Sequence, residues 1–298
     1  MSFLVAGASG FIGKNLLDLA TVAAKPLFLR DAGWVRQIAN LKPSAIVHLA
    51  GFAHTRGPEA EVRKVNVGLT KTLAEEAARI GVKRFIFVSS IQAITEKTAD
   101  GRSATTQTPA APQGAYGKSK LEAEQLLRGL SMESRMEVVI IRPPLVYGPG
   151  VKANFRNLLG LLEKGFPIPL AAMDQNRRSF GAVSNLVDLI LLCLEHPAAA
   201  NETFHVSDDD DISTAELLRR MGKALGKPVR NLPIPAFALK AGLRLAGKGE
   251  MLDKLFGNLQ VDIEHTRRTL GWKPKVTMAE ELERTAKWWR SRQGRGDL

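Results

Sequence analysis

The chain has 298 residues, of which 45% are hydrophobic and 24% charged, the composition of a globular protein with a large core. Its net charge of +12 indicates either a solvated basic surface or an anionic ligand such as a nucleotide. We expect no nucleic acid partner, because the basic residues are scattered and the four Trp and two Tyr residues are not interleaved with them.

Signals of export or membrane insertion are absent from the sequence. The N-terminus begins directly with a strand pattern, and every uncharged apolar run is shorter than the roughly 18 residues of a spanning helix. The single cysteine, Cys193, lies in an apolar run and is predicted to be a core residue. We therefore expect a cytoplasmic protein with no disulfide and no integral membrane segment.

The first pattern along the chain is a short apolar run, residues 3–6, followed by three glycines. Gly7 permits a tight turn, Gly10 lets backbone N–H groups reach a phosphate, and Gly13 lets the next helix pack close to the strand. The pattern predicts a strand, a turn and a helix that bind the pyrophosphate of a dinucleotide. The spacing is not that of the Gly-x-Gly-x-x-Gly fingerprint, so a glycine-rich turn without a ligand is the alternative.

Strand and helix patterns then alternate up to residue 142. Strands are predicted at residues 26–29, 45–50, 84–89 and 137–142, and helices at 14–20, 34–41, 59–80 and 116–130. Residues 95–114 are predicted to form a surface loop. The alternation predicts the α/β fold class, with a doubly wound parallel sheet covered by helices on both faces.

The pattern changes at Pro143, where prolines begin to interrupt the alternation. Helices are predicted at 186–195, 214–225 and 278–290, and one further strand at 203–206. We expect residues 1–150 to form a dinucleotide-binding domain to which residues 180–206 return. Residues 151–179 and 207–298 are expected to form a smaller, mainly helical substrate-binding domain.

Several further features have both a structural and a functional interpretation. Residues 234–246 are amphipathic and basic, and packing on their own domain is favoured over a membrane surface. The acidic run 208–211 is interpreted as a solvated turn before a helix capped by Ser213. His48 is expected in the core, whereas His54 could face a substrate. The sequence has no Cys or His cluster with the spacing of metal ligands, so no metal site is predicted.

Tyr116 and Lys120 lie four residues apart in a predicted helix and so share one face. A nearby ammonium lowers the pKa of a phenol from its usual value near 10, and the pair can then move a proton to or from a carbinol oxygen. Ser89 and Ser90 end the preceding strand, where a hydroxyl could bind the same oxygen. The Tyr-x-x-x-Lys pattern is common by chance, so its combination with the glycine turn and the strand-end serine carries the interpretation.

In these features the chain resembles the extended short-chain dehydrogenase/reductases, a group of NAD(P)-dependent nucleotide-sugar epimerases, dehydratases and 4-ketoreductases. The resemblance covers nearly the whole chain and implies a Rossmann-type sheet. The stretches that carry it are Gly-Ala-Ser-Gly-Phe-Ile-Gly at 7–13, Val-His-Leu-Ala at 47–50, Val-Asn-Val at 65–67, Phe-Val-Ser-Ser at 87–90, Tyr-Gly-Lys-Ser-Lys at 116–120, Arg-Pro-Pro-Leu-Val-Tyr-Gly-Pro-Gly at 142–150 and Leu-Gly-Trp at 270–272.

The resemblance also implies roles for individual residues. Tyr116 would be the catalytic acid/base, Lys120 would bind the nicotinamide ribose, and Ser90 would polarise the reacting oxygen. The implied contacts with the cofactor, NAD or NADP, are Gly7, Ser9, Gly10, Phe11, Ile12, Gly13, Arg30, Asp31, Leu49, Ala50, Gly51, Asn66, Tyr116, Lys120 and Pro143. The implied contacts with a UDP-sugar substrate are Ser90, Gln92, Asn154 and Arg178, with Arg178 on the diphosphate. A homodimer, formed through the helix that holds Tyr116, is implied as well.

Two departures from the family pattern narrow these expectations. Dehydratases of the group have Thr-Asp-Glu where this chain has Ser-Ile-Gln at 90–92, so 4,6-dehydration is not expected. Only sixteen residues separate Arg30 from Val47, which leaves open whether the strand near residues 27–30 is the second or the third. In the second position, Asp31 would bind the adenosine ribose or Arg30 a 2′-phosphate; in the third, Asp31 would lie by the adenine.

Residues 142–155 resemble sugar-modifying enzymes of bacterial O-antigen and capsule pathways. This closer resemblance favours a 4-ketoreductase of a UDP-4-keto-6-deoxy-N-acetylhexosamine in surface polysaccharide synthesis. The alternative is a 4-epimerase of UDP-glucose or UDP-N-acetylglucosamine type, which would use the same residues. A third hypothesis is an NADP-binding sensor without catalysis.

Overall fold

The computed structural model describes residues 2–31, 33–52, 58–247, 252 and 255–293. His54, which could face a substrate, lies outside these residues. Within the described ranges, no helix combines the length and the apolar character needed to cross a bilayer.

Up to residue 142 the main strands and helices alternate in the order that the sequence predicts, and one short strand, residues 103–104, lies in the predicted loop 95–114. The strands are β1 (Ser2–Ala6), β2 (Ala23–Leu27), β3 (Ala45–His48), β4 (Arg84–Val88), β5 (Ser103–Ala104), β6 (Glu137–Arg142), β7 (Leu145–Tyr147), β8 (Phe180–Ala182), β9 (Thr203–His205) and β10 (Gln260–Val261). The helices are α1 (Phe11–Leu19), α2 (Trp34–Leu41), α3 (Glu59–Arg63), α4 (Thr70–Ile80), α5 (Ala115–Glu133), α6 (Ala153–Glu163), α7 (Val183–Glu195), α8 (Thr214–Leu225), α9 (Ala236–Leu245), α10 (Glu264–Leu270) and α11 (Met278–Gln293).

Six of the strands form one parallel sheet in the order β2-β1-β3-β4-β6-β9. Apolar side chains, mostly β-branched or aromatic, fill its central strands, as expected for a sheet buried on both faces. On one face α1 and α7 pack through Leu16 and Ile190, and on the other α2 and α5 pack through Ile38 and Leu127. The sheet is therefore doubly wound and Rossmann-type, as predicted.

Strand β2 begins three residues earlier than the sequence predicts. It covers Ala23–Leu27 rather than 26–29, and it pairs with β1 along its whole length, from Ser2 opposite Ala23 to Ala6 opposite Leu27. The pairing places it in the second position of a Rossmann sheet, which answers the question that the sequence left open. Among the described residues no strand pairs with its outer edge, so the sheet ends at β2.

The C-terminal part of the chain has its own hydrophobic cluster, built mainly by α6, α8 and α11. Phe155, Leu218 and Trp289 are buried in it. Ser213 accepts a hydrogen bond from the backbone N–H of Glu216 and caps α8, as predicted. Two small parallel pairs, β7 with β8 and β5 with β10, complete this mainly helical region.

The acidic run 208–211 is only in part the solvated turn that the sequence predicts, since Asp209 is exposed but Asp208 is not. Asp208 is buried, and its carboxylate accepts hydrogen bonds from the Tyr147 hydroxyl at 2.7 Å and from Ala182 N and Asn185 Nδ2 at 2.8 Å. Asp211 accepts one from Gln260 Nε2 at 2.9 Å. The prediction is wrong for Asp208, because this residue packs against β7, β8 and α7, where its oxygens satisfy buried donors.

Candidate active site

The glycine turn joins β1 to α1 and has the close contacts that the sequence predicts. Gly7 has a φ of +91°, and its carbonyl accepts a hydrogen bond from Gly10 N at 2.9 Å. A Cβ on Gly7 would lie 2.6 Å from Ala50 N, and a Cβ on Gly13 would lie 2.3 Å from the Gly7 carbonyl oxygen. The turn thus holds α1 against the end of β1 and meets the loop after β3 at Leu49.

Predicted cofactor contacts surround this turn. Ser9 is exposed at its tip, and Phe11 and Ile12 begin α1 with partly buried side chains. Gly10 is the N-cap of α1, and as a glycine it has no side chain with which to cap the helix. The N-terminus of this helix therefore has the properties of an anion site, since its first N–H groups and its dipole both favour negative charge.

The loop after β3 is held by Asn66. Asn66 is buried, accepts a hydrogen bond from Phe52 N at 2.7 Å, and donates one to Ser119 Oγ at 3.0 Å. It lies in a π-helical stretch, Lys64–Leu69, that joins α3 to α4. A Cβ on Gly51 would lie 2.8 Å from Asn66 Oδ1 and 3.8 Å from Lys120 Nζ. The structure therefore brings Gly51, Asn66 and Lys120 together.

Ser90, Tyr116 and Lys120 meet at the carboxyl end of β4. The Ser90 side chain is hydrogen-bonded to that of Tyr116 and also accepts a hydrogen bond from Gln92 N at 3.2 Å. Lys120 Nζ donates to the Val88 carbonyl oxygen at 3.0 Å and lies 6.0 Å from the centre of the Tyr116 ring. A serine and a tyrosine hydroxyl side by side can bind one oxygen and exchange a proton with it.

The expectation that Lys120 lowers the pKa of Tyr116 is not met. Burial raises the pKa of Tyr116 to about 12, and the hydrogen bond with Ser90 opposes this shift only in part. Burial also lowers the pKa of Lys120 to about 8, against the raising effect of Glu124. The Lys120 ammonium is bound to the Val88 carbonyl instead of the phenol. Tyr116 is consequently protonated at neutral pH, the form that donates a proton.

Sequence reasoning missed Glu124, which follows Lys120 by one turn of α5. Its side chain is fully buried and accepts hydrogen bonds from Ser89 Oγ at 2.6 Å and Arg142 Nε at 2.9 Å. Arg142 makes a second hydrogen bond to the other carboxylate oxygen, so the ion pair is bidentate. Tyr116, Lys120 and Glu124 follow one another at intervals of four residues, and this spacing could have predicted that Glu124 shares their face of α5.

A second missed residue is Gly117. A Cβ at this position would lie 2.3 Å from the Gln92 carbonyl oxygen. The lack of a side chain lets α5 approach the short 3₁₀ turn Ile91–Ala93, which follows Ser90. Gly117 thereby sets the distance between the Tyr116 and Ser90 side chains.

Stretch 142–150 connects this group to the glycine turn. The Pro143 carbonyl accepts a hydrogen bond from Ile91 N at 2.9 Å, beside Ser90. At the other end, the Pro149 carbonyl accepts one from Asn15 Nδ2 of α1 at 2.9 Å. Pro143 therefore lies between the carboxyl ends of β4 and β6, the end of the sheet at which ligands of such folds bind.

Four predicted residues lie away from this group. Arg30 and Asp31 are exposed in the turn that follows β2. Asn154 is exposed in the first turn of α6. Arg178 is partly buried, donates a hydrogen bond to the Gly257 carbonyl at 3.0 Å, and has a pKa lowered by burial.

The glycines of the turn allow a direct test. We expect Gly13→Ala to lower the free energy of unfolding by about 1–3 kcal/mol, because its Cβ would overlap backbone atoms that cannot move aside. Gly10→Ala is the matched control: its Cβ would lie 3.1 Å from the Gly7 oxygen, so we expect a smaller loss of stability and a weakened affinity for dinucleotide. Chemical denaturation and dinucleotide titration measure both. Equal stability of the two variants would contradict the packing argument.

A parallel sheet with a glycine turn at its first crossover and a Ser–Tyr–Lys group at the end of β4 is the arrangement of an extended short-chain dehydrogenase/reductase. The chain belongs to the NAD dependent epimerase/dehydratase family, whose model matches residues 3–207. It is therefore an enzyme of the nucleotide-sugar epimerase/dehydratase type, and the expected dependence on a nicotinamide dinucleotide is confirmed.

Two curated relatives align over nearly their whole length. One, a UDP-glucose 4-epimerase of Vibrio cholerae, is 44% identical and covers 96% of this chain and 94% of its own. Another, the N-acetyl-alpha-D-glucosaminyl-diphospho-ditrans,octacis-undecaprenol 4-epimerase of Escherichia coli O157:H7, is 27% identical and covers 95% of this chain and 93% of its own.

Solved structures share the fold. A UDP-glucose 4-epimerase from Thermotoga maritima with bound UDP-glucose superposes with a TM-score of 0.75, at 21% identity, and covers 98% of this chain and 100% of its own. A double mutant of the dTDP-glucose 4,6-dehydratase from Streptomyces venezuelae gives a TM-score of 0.78, at 24% identity, and covers 99% of this chain and 98% of its own.

Proposed function

We propose that the enzyme is a UDP-sugar 4-epimerase that uses NAD or NADP. The observation that carries this proposal is the 44% identity to the Vibrio cholerae UDP-glucose 4-epimerase over almost the full length of both chains. The relative from Escherichia coli is also a 4-epimerase by name. These similarities support the epimerase alternative better than the 4-ketoreductase that residues 142–155 favour, and the reductase becomes the second candidate.

The dinucleotide would lie across the carboxyl ends of the strands. Its pyrophosphate would bind the N-terminus of α1 at Gly10, where the close packing of Gly7 and Gly13 leaves the backbone N–H groups accessible. Gly51 and Asn66 would line the adenine and ribose side of the site. Lys120 would bind the nicotinamide ribose. The bound dinucleotide would supply reversible hydride transfer at C4 of the sugar.

Tyr116 would move the proton on O4 of the sugar. In the oxidation half, it would take the hydroxyl proton, which requires its pKa to fall from about 12 when a positively charged nicotinamide binds. In the reduction half, the protonated phenol returns the proton to O4 of the 4-keto sugar. Ser90, hydrogen-bonded to Tyr116, donates to the same oxygen and stabilises its developing charge.

The substrate would extend towards the C-terminal part of the chain. We assign the diphosphate to Arg178, a neighbouring contact to Asn154, and the sugar to Gln92, next to Ser90. On this assignment residues 1–150 and 180–206 hold the cofactor, and residues 151–179 and 207–298 hold the substrate. We also propose a homodimer through α5 and a cytoplasmic location.

The test is one assay with two arms. In the first, the protein receives NAD or NADP and UDP-glucose or UDP-N-acetylglucosamine deuterated at C4, and we expect C4 inversion with the label retained and no net change in nicotinamide absorbance. In the second, it receives UDP-4-keto-6-deoxy-N-acetylglucosamine with NADH or NADPH. Stoichiometric loss of reduced cofactor there, without inversion in the first arm, would establish the reductase instead.

Further results separate the remaining hypotheses. The preference between NAD and NADP reports on Arg30 and Asp31, which follow the second strand and are both exposed. The Tyr116→Phe variant is the negative control in both arms. Dinucleotide binding with no turnover on any UDP-sugar would favour the non-catalytic sensor.

A further inference from the structure

Helix α9 presents an apolar face to solvent. Ala236 and Leu239 pack against the hydrophobic cluster of the C-terminal part. At 100° per residue, the opposite side of the helix holds Phe237, Ala241 and Leu245. Phe237 is 76% exposed and Leu245 is 91% exposed. A helix on a water-facing surface normally places polar residues on this side, so the distribution requires an explanation.

The charges of this segment are all of one sign. From Lys227 to Gly247 the sequence has four basic residues and no acidic one. Arg244 is exposed and lies beside Phe237 on the outer face of the helix. Lys240 lies next to Ala236, nearer the packed side of the helix, and is partly exposed, with its ammonium 4.9 Å from the centre of the Phe256 ring. Lys227 is already paired with Glu163.

Two further exposed apolar side chains lie on segments that are joined close to the start of α9. Leu232 N donates a hydrogen bond to the Ile168 carbonyl at 2.9 Å, which links the stretch before α9 to the stretch that contains Phe166. Phe166 is 56% exposed and Leu232 36%. Phe166, Leu232, Phe237 and Leu245 are four of the nine large apolar side chains that are exposed among the described residues.

We propose that α9 docks the protein on an anionic lipid bilayer. Phe237 and Leu245 would enter the boundary between headgroups and acyl chains, while Arg244 would contact the anionic headgroups and Lys240 would add positive charge nearby. A second copy of the chain is the poorer occupant, because it would bring an equally basic α9 against this one. The proposal is independent of the proposed epimerase, whose activity on a UDP-sugar in water needs no membrane.

The test is flotation of the full chain with vesicles. We expect binding to vesicles of phosphatidylglycerol and phosphatidylcholine, little binding to phosphatidylcholine alone, and weakening by salt. Arg244→Gln should weaken binding about fivefold. The double variant Phe237→Ser/Leu245→Ser should weaken it about tenfold or more. Equal binding of these variants and the unaltered protein would overturn the proposal.

Matched controls separate a docked helix from a general charge effect. Met132 is 83% exposed on α5, and Arg36 is exposed on α2. Met132→Ser and Arg36→Gln should therefore leave vesicle binding unchanged, and losses equal to those at α9 would mean non-specific attraction by the net charge of +12. Turnover on a UDP-sugar, measured without vesicles, shows that each variant is folded. If the unaltered protein shows no turnover, dinucleotide binding serves as the folding control.

A second measurement follows insertion directly. Cys193, the single cysteine, is buried, and burial raises its pKa to about 12, so it reacts poorly. A polarity-sensitive fluorophore attached to the thiol of Leu245→Cys should shift its emission to the blue when anionic vesicles are added. No shift would contradict insertion. A shift that depends on protein concentration and needs no vesicles would identify a second copy as the occupant instead.

Discussion

The Tyr116→Phe variant should lose turnover by a factor of at least about a hundred, since a general acid/base contributes roughly 10²–10⁴ to rate. The substitution removes only the hydroxyl, which in the structure is hydrogen-bonded to Ser90 at the end of β4. The aromatic ring remains, so α5 should keep its packing. Steady-state kinetics on the sugar nucleotide that proves active in the two-armed assay gives the result.

Dinucleotide titration and the other tyrosine provide the controls for this prediction. Dinucleotide affinity should be nearly unchanged, because Lys120 and the glycine turn are intact. The chain has just one further tyrosine, Tyr147, whose buried hydroxyl donates to Asp208 at 2.7 Å. We expect Tyr147→Phe to lower stability but to retain turnover. Near-normal turnover in Tyr116→Phe would refute the role assigned to the phenol.

Glu124→Gln should lower the free energy of unfolding by about 3–5 kcal/mol, the cost of leaving a buried charge without its partner. The carboxylate is fully buried between Arg142 and Ser89, and the substitution leaves the Arg142 guanidinium uncompensated. Chemical denaturation measures the loss. A change below about 1 kcal/mol would mean that water or the new side-chain amide satisfies the Arg142 guanidinium.

The same helix supplies a matched control. Glu122 is two residues away and pairs with Arg63 on the surface, where both side chains are more than one-third exposed. Glu122→Gln should cost about 0–1 kcal/mol, because exposed ion pairs are screened. In addition, Glu124→Leu combined with Arg142→Met should recover part of the stability lost by Glu124→Gln, since it removes both charges.

This pair also bears on the position of the catalytic group. Glu124 lies one turn after Lys120, its partner Ser89 directly precedes Ser90, and its partner Arg142 directly precedes Pro143. One buried carboxylate thus joins the helix that bears Tyr116 to both strand ends at the site. We therefore expect any loss of activity in Glu124→Gln to appear mainly in kcat.

The sequence was sufficient for the sheet, the order of the elements and most helix limits. The predicted helix 59–80 illustrates why: Gly81 has a φ of +84° and ends α4 as a left-handed C-cap. Strand β2 was placed too late because Ala-Ala-Lys-Pro-Leu has little strand propensity of its own. Its conformation comes from pairing with β1, which no local pattern records.

The spacing of Tyr116 and Lys120 correctly predicted that they share one face of α5, but it could not predict their pKa values. Those depend on burial and on the Val88 carbonyl, which accepts a hydrogen bond from the Lys120 ammonium. Likewise, no local pattern in the acidic run 208–211 shows that Asp208 is buried, because its hydrogen-bond donors belong to β8 and α7. Both errors concern polar groups whose partners lie far away in the chain.

The outer edge of β2 has a consequence for self-association. An edge strand is a template on which another chain can add a strand, and among the described residues no strand pairs with the outer edge of β2. Pro26 has no N–H to offer such a strand, and its carbonyl already accepts a hydrogen bond from Gln37 Nε2 at 3.1 Å. Lys25 adds a charge beside it. These features disfavour the addition of a strand from another chain at this edge of the sheet.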